Sequence, residues 1–251
     1  MAEPLLRIEG ICKRFSGLLA LDRASFLVER GTITALIGPN GAGKTTLFAI
    51  ISGFLSPDAG LVVYAGTDIT GAPAHRLARR GIARTFQTVQ PFGSLTVAEN
   101  IAVGCHLSRP GRADALAAAR GLARTVGLGD VVDRRAADLT LAALKRLELA
   151  RALAIEPRLL LLDEVLAGLN PAETAEVLPL VRAIRERGTT IILIEHVMQA
   201  VMSLADQVLV LAEGRIIAHG APSAVASDPS VIEAYLGRGA AGRVTTAQGN
   251  G

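Results

Sequence analysis

Residues 38 to 45 read Gly38-Pro39-Asn40-Gly41-Ala42-Gly43-Lys44-Thr45, and no other segment constrains the fold as tightly. The glycines let successive backbone amides turn toward an anion, and a helix beginning at Lys44 adds the positive end of its dipole. Lys44 has the reach to meet terminal phosphates, and the Thr45 hydroxyl can ligate magnesium. Such a loop needs a buried strand feeding directly into a helix. The flanks supply both, an apolar run ending at Ile37 and a helical stretch from Lys44 to Ile51. Lysine is scarce in this chain: Lys13, Lys44 and Lys145 stand beside 23 arginines, so a lysine inside a phosphate motif stands out.

Short β-branched or leucine-rich runs bounded by turn signals recur at Thr32 to Ile37, Leu61 to Tyr64, Leu159 to Asp163, Thr189 to Glu195 and Gln207 to Leu211. Most are nearly continuous apolar runs, the pattern of strands buried on both faces. Helical stretches at Lys44 to Ile51, Pro171 to Glu186 and Val197 to Leu204 follow three of them. The expected class is α/β, with a mostly parallel sheet between helices. Leu5 to Phe15 and Ala24 to Glu29 predict a small antiparallel β layer, and Val208 to His219 a hairpin turning at Glu213-Gly214. From 88 to 156 the chain is rich in Ala, Leu and Arg, with helices expected at Thr96 to His106, Arg112 to Val126 and Ala142 to Ile155, and a loop at Leu107 to Arg112. The domain division read from this is a core of 1–87 and 157–236, a helical subdomain of 88–156 and a disordered tail of 237–251.

Two further strand ends carry chemistry. Leu159 to Leu162 runs into Asp163-Glu164, at the end of a parallel strand where ligands bind. Asp163 is placed to hold a magnesium shell and Glu164, pointing differently, to polarise a water for in-line attack on a γ-phosphate. Alone, such a pair is more often a helix cap; with Lys44 in the chain the catalytic reading leads. Ile191 to Ile194 delivers Glu195-His196 to the same sheet edge, where His196 can sense a γ-phosphate, whereas His75, His106 and His219 keep structural readings.

Composition excludes other classes. Aromatics make up 3% of the 251 residues, and Trp is absent, so base-stacking single-stranded nucleic-acid platforms are disfavoured. Cys12 and Cys105 lie far apart without histidines at ligand spacing, which indicates neither a disulfide framework nor a zinc site. The mean hydropathy of +0.41 is high. Yet the most apolar region, Ile191 to Leu211, is interrupted by Glu195, His196 and Asp206, and the charged N-terminus does not read as a secretion signal. A cytosolic chain is expected.

Together with Gln87 in Ala83-Arg84-Thr85-Phe86-Gln87, these pieces resemble, in order and spacing over nearly the whole chain, the ATP-binding subunits of ABC transporters. Gly38 to Thr46, Arg84 to Gln87, Leu95 to Asn100, Ala167 to Pro171 and Val231 to Leu236 look like the branched-chain amino acid importer branch. The resemblance implies an ABC ATPase fold on a P-loop NTPase core, with ATP and Mg2+ bound. Gly38, Pro39, Asn40, Gly41, Ala42, Gly43, Lys44, Thr45 and Thr46 would form the Walker A loop, Leu159 to Asp163 the Walker B strand, Glu164 the base, Gln87 the Q-loop ligand of the metal, and His196 the switch. Phe15 falls where the family stacks a ring on adenine; its other reading is a core Phe at a strand end.

The family's signature, Leu-Ser-Gly-Gly-Gln, aligns with Leu139-Thr140-Leu141-Ala142-Ala143, where both glycines and the glutamine are gone. In an ABC dimer this segment caps the γ-phosphate held by the other subunit. Thr140 keeps a hydroxyl, and the amides of Leu141, Ala142 and Ala143 remain, but the added Cβ atoms hinder approach and disfavour any positive-φ geometry. One lost charge-assisted contact costs roughly 1.5 to 3 kcal/mol, about tenfold to a hundredfold. The resemblance further implies membrane permease subunits, indirectly a periplasmic or extracellular solute-binding protein, a place on the cytoplasmic face of the membrane, and a dimer that the altered signature favours as hetero over homo. Asn170 and Val165 replace the family's usual aspartate and proline, which are milder changes. Two other readings compete: a regulatory pseudo-ATPase, against which Glu164 and His196 argue, and a soluble ABC protein of DNA repair or translation, which needs coiled-coil insertions or a second cassette. Branched-chain amino acids lead as solute, with urea, amides or small carboxylates as relatives.

Overall fold

The structure, a computed structural model, describes residues 3–236. In chain order its elements are strands β1 (Leu6–Phe15), β2 (Leu18–Val28) and β3 (Ile33–Ile37), helix α1 (Lys44–Ile51), strands β4 (Ala59–Tyr64) and β5 (Thr67–Asp68), helix α2 (Ala74–Arg79) and strand β6 (Ile82–Arg84). Helices α3 (Val97–Cys105), α4 (Arg112–Thr125) and α5 (Leu141–Leu153) follow, then β7 (Leu159–Asp163), α6 (Pro171–Glu186), β8 (Thr190–Ile194), α7 (Met198–Leu204), β9 (Gln207–Ala212), β10 (Arg215–Gly220), α8 (Pro222–Ala226) and α9 (Pro229–Leu236). The expected tail of 237–251 lies outside the described residues. The chain divides into two compact units, one of residues up to Ala72 together with those from Ile192 onward, the other of Pro73–Ile191.

In the first unit, β2, β1, β4 and β5 form an antiparallel sheet in that order. On β2 the residues Ala24, Phe26 and Val28 are buried while Arg23, Ser25 and Leu27 face out, the alternation of a half-solvated strand. The run Leu61 to Tyr64, expected among the parallel strands, instead pairs antiparallel with β1, Leu6 opposite Tyr64 and Ile8 opposite Val62. β3 is buried along its whole length and runs parallel to β9, with Ile37 opposite Val210. The hairpin of β9 and β10 forms as expected, turning through Glu213 and Gly214 at φ of 48° and 76°. α1 follows β3 and buries Leu47, Phe48 and Ile51 completely, each contributing about 1.5 to 3 kcal/mol.

In the second unit β6 pairs parallel with β7, Arg84 lying opposite Leu161. α3, α4 and α5 make a helical cluster whose interior is small. α4 presents Ala115, Ala119 and Ala123 at helical spacing, all fully buried beside Val97, Ile101 and Leu147. Gly104 is required by the same closeness: a Cβ there would stand 2.7 Å from Ala154 Cβ and 3.1 Å from the Arg151 carbonyl. Capping boxes start α3, with Thr96 and Glu99, and α6, with Asn170 and Glu173. Asn170 thus caps as well as an aspartate would.

Candidate functional site

In the first unit, the loop from Gly38 to Gly43 joins β3 to α1 in the geometry that a phosphate cradle needs. Gly38 at φ 149° passes so close to β9 that a Cβ would lie 1.9 Å from the Leu211 carbonyl, and at Gly43 (φ 104°) one would lie 2.4 Å from the Ala20 carbonyl. Only glycine fits either place. α1 has no side-chain N-cap and no acidic residue in its first turn, which leaves its opening amides to an anion. Lys44 is 7% exposed, and its ammonium donates to the carbonyls of Gly38 at 2.8 Å and Pro39 at 2.9 Å. These two contacts hold the ammonium against the loop.

Phe15 ends β1 opposite Leu18, with the Lys13 ammonium 5.7 Å from its ring centroid. It is 44% exposed, so the core reading fails and a ring face is available for stacking. His196 is exposed in the turn between β8 and α7, directly after the buried Glu195.

In the second unit, β7 ends in a dense polar cluster. Asp163, 3% exposed, pairs with the Arg84 guanidinium at 2.7 Å, a partner that sequence reasoning did not identify. Removing one member of so buried a pair costs about 3 to 5 kcal/mol, because the other charge is left uncompensated. Thr85 stitches the strands: its hydroxyl accepts the Asp163 amide at 3.0 Å and its own amide donates to the Leu161 carbonyl at 2.9 Å. Glu164 sits at φ 49°, a left-handed conformation rare for a side-chain-bearing residue, and this turns its carboxylate out of the strand's alternation. Gln87 meets it there, the amide Nε2 donating to Oε2 of Glu164 at 2.6 Å. The Lys145 ammonium donates to the carbonyls of Gln87 at 3.3 Å and Glu164 at 3.1 Å. Sequence reasoning also passed over Lys145, although the scarcity that marked Lys44 marks it equally.

The segment Thr140 to Ala143 opens α5. Thr140 is the N-cap, its hydroxyl oxygen accepting the Ala143 amide at 3.3 Å, which leaves the hydroxyl proton to donate outward. Leu141 and Ala142 are ordinary helical residues, neither with positive φ, so the missing glycines cost no backbone strain. The Ala143 amide, counted in the sequence reading among those left for a phosphate, is instead taken by the Thr140 hydroxyl. What the substitutions add is bulk: Leu141 is 47% exposed, and a Cβ on Gly168 would meet its Cδ2 at 3.0 Å.

A phosphate cradle of strand, loop and helix in one unit, and a buried strand ending in Asp163-Glu164 in the other, define a P-loop ATPase. Known proteins make the class narrower. The ABC transporter family model matches residues 21–167, and the model described as branched-chain amino acid ATP-binding cassette transporter matches residues 215–241. The chain is 39% identical to the high-affinity branched-chain amino acid transport ATP-binding protein BraF of Pseudomonas aeruginosa, over 94% of this chain and 99% of that protein. It is 38% identical to LivG of Escherichia coli (strain K12), a protein of the same description, with the same coverage. Among solved structures, the ADP conformation of MJ1267, an ATP-binding cassette of an ABC transporter, superposes with a TM-score of 0.85 at 34% identity, covering 94% of this chain and all of that one. The chain belongs to the ABC transporter family, as one of its ATP-binding, ATP-hydrolysing subunits.

Proposed function

We propose that this subunit energises the import of branched-chain amino acids, bound to permease subunits at the cytoplasmic face of the membrane and fed by a solute-binding protein on the other side. Carrying this reading is the match of residues 215–241 to the branched-chain cassette model, on a chain whose relatives align over nearly their full length. No helix among the described residues is long and apolar enough to cross a membrane.

In this reading Gly38 to Thr46 take the β- and γ-phosphates on backbone amides, and Lys44 exchanges its two loop carbonyls for phosphate oxygens. Phe15 stacks on the adenine. Glu164 holds the attacking water and accepts its proton on the carboxylate that Gln87 now caps, and His196 donates to the γ-phosphate. The hydroxyl of Thr45, the carboxylate of Asp163 and Oε1 of Gln87 are hard oxygen donors of the kind Mg2+ takes. Mg2+ held with the nucleotide would neutralise phosphate charge. Residues 88–156 form the helical signature subdomain, offering Thr140, Leu141 and Ala142 to the nucleotide of a partner ATPase. The partner is a different ATP-binding subunit, because a homodimer would carry the bulky Leu141 at both sites.

The test is ATP-driven uptake of labelled leucine by vesicles holding the chain, its permease subunits and a companion ATPase. Uptake is expected only with the companion present. Uptake with this chain as the sole ATPase would overturn the hetero pairing. A complete, ATP-hydrolysing assembly that moves no branched-chain amino acid would overturn the solute.

A further inference from the structure

Lys145, Glu148 and Arg151 recur every third residue on one side of α5, and each takes hold of the irregular segment that follows β6. The Lys145 ammonium, 4% exposed, bonds the Gln87 and Glu164 carbonyls as described. Glu148, 7% exposed, accepts the Phe86 backbone amide and pairs with Arg151 at 3.1 Å. Arg151 donates to the Gln90 carbonyl at 3.0 Å and lies 5.3 Å from the centroid of the Phe92 ring. The far end of the segment is pinned by Asn100, fully buried on α3, which donates to the carbonyls of Phe92, Leu95 and Thr96 and accepts the Phe92 amide. The stripe therefore grips main chain at residues 86, 87 and 90, so the grip does not depend on what the Gln87 side chain is doing.

Geometry of this kind does more than fill space. Burying an ammonium is costly unless its donors find partners, and here two of the three are taken by carbonyls from segments that must stay in register for Gln87 to reach Glu164. α5 also begins at Thr140. We propose that Lys145 is a positioning residue for hydrolysis, and that the Lys145–Glu148–Arg151 stripe makes α5 a rigid link from Thr140 to Glu164 and to the exposed rings of Phe86 and Phe92. Engagement of Thr140 by the partner's nucleotide then sets the chain's own base and the surface offered to the permease together. The proposal rests on the assignment of Glu164 as the base.

The experiment compares Lys145→Met, which keeps the stem and removes the donors, with Lys145→Arg and Glu164→Gln in the full chain assembled with its partners. ATP affinity is expected to stay within about twofold in Lys145→Met while kcat falls at least about tenfold, with partial recovery in Lys145→Arg. Parental kcat in Lys145→Met beside an inert Glu164→Gln overturns the proposal alone, as does a parallel loss of affinity, kcat and melting temperature, the mark of a merely structural lysine. Parental turnover in Glu164→Gln overturns the base assignment instead. Should Lys145→Met fail to fold, Arg151→Ala at the outer end of the stripe carries the test. Uptake per ATP hydrolysed is then expected to fall at least about threefold, and an unchanged ratio overturns the proposal.

Discussion

At the scale of single residues the site works by placing charges against neutral or opposite partners. The Lys44 ammonium is bonded to two carbonyls of the loop proposed to take phosphate. Lys44→Ala is expected to weaken MgATP binding by at least about tenfold to a hundredfold, the worth of a charge-assisted contact. Calorimetry on the folded variant checks this, and unchanged affinity would contradict the phosphate-loop assignment. The sequence singled out Lys44, Asp163, Glu164 and His196 because each stands at or soon after the end of an apolar run. Gln87 and Phe15 were singled out through the family resemblance. Arg84 and Lys145 were not, since their partners come from distant segments: Arg84 reaches Asp163 through the pairing of β6 with β7, and Lys145 reaches Gln87 and Glu164 through the seating of α5. The positive φ of Glu164 leaves no trace in residue identity either.

At the scale of elements, hydrophobic period decided what could be read. Continuous apolar runs located β3, β7, β8 and β9, and alanine-rich helical spacing located α4 at Arg112, where the structure starts it. The run Leu61 to Tyr64 misled because an apolar stretch is the same in either sheet, and only the pairing with β1 settles its place. β6, of three residues, and α2, of six, are shorter than any periodic window. The helical cluster makes its own prediction. Its helices approach through Gly104, so Gly104→Ala must push α3 from α5, at a cost of about 1 to 3 kcal/mol for overpacking against a gain near 1 kcal/mol in helix propensity. A lowered melting temperature is expected; an unchanged or raised one would show that the helices can part without loss.

At the scale of the whole molecule, the proposed phosphate loop lies in one compact unit and the proposed base, Glu164, in the other. Nucleotide binding and hydrolysis are therefore expected to fail independently. Glu164 sits in a left-handed turn outside the Gly38 to Gly43 segment, so in the proposed mechanism Glu164→Gln removes proton acceptance without altering that loop's sequence. The most direct measurement is single-turnover hydrolysis by Glu164→Gln in the assembled transporter, with ATP affinity measured alongside. The predicted result is affinity within about threefold of the parent and a rate lower by at least about a hundredfold. Hydrolysis at the parental rate would contradict the assignment of Glu164 as the base of this ATPase.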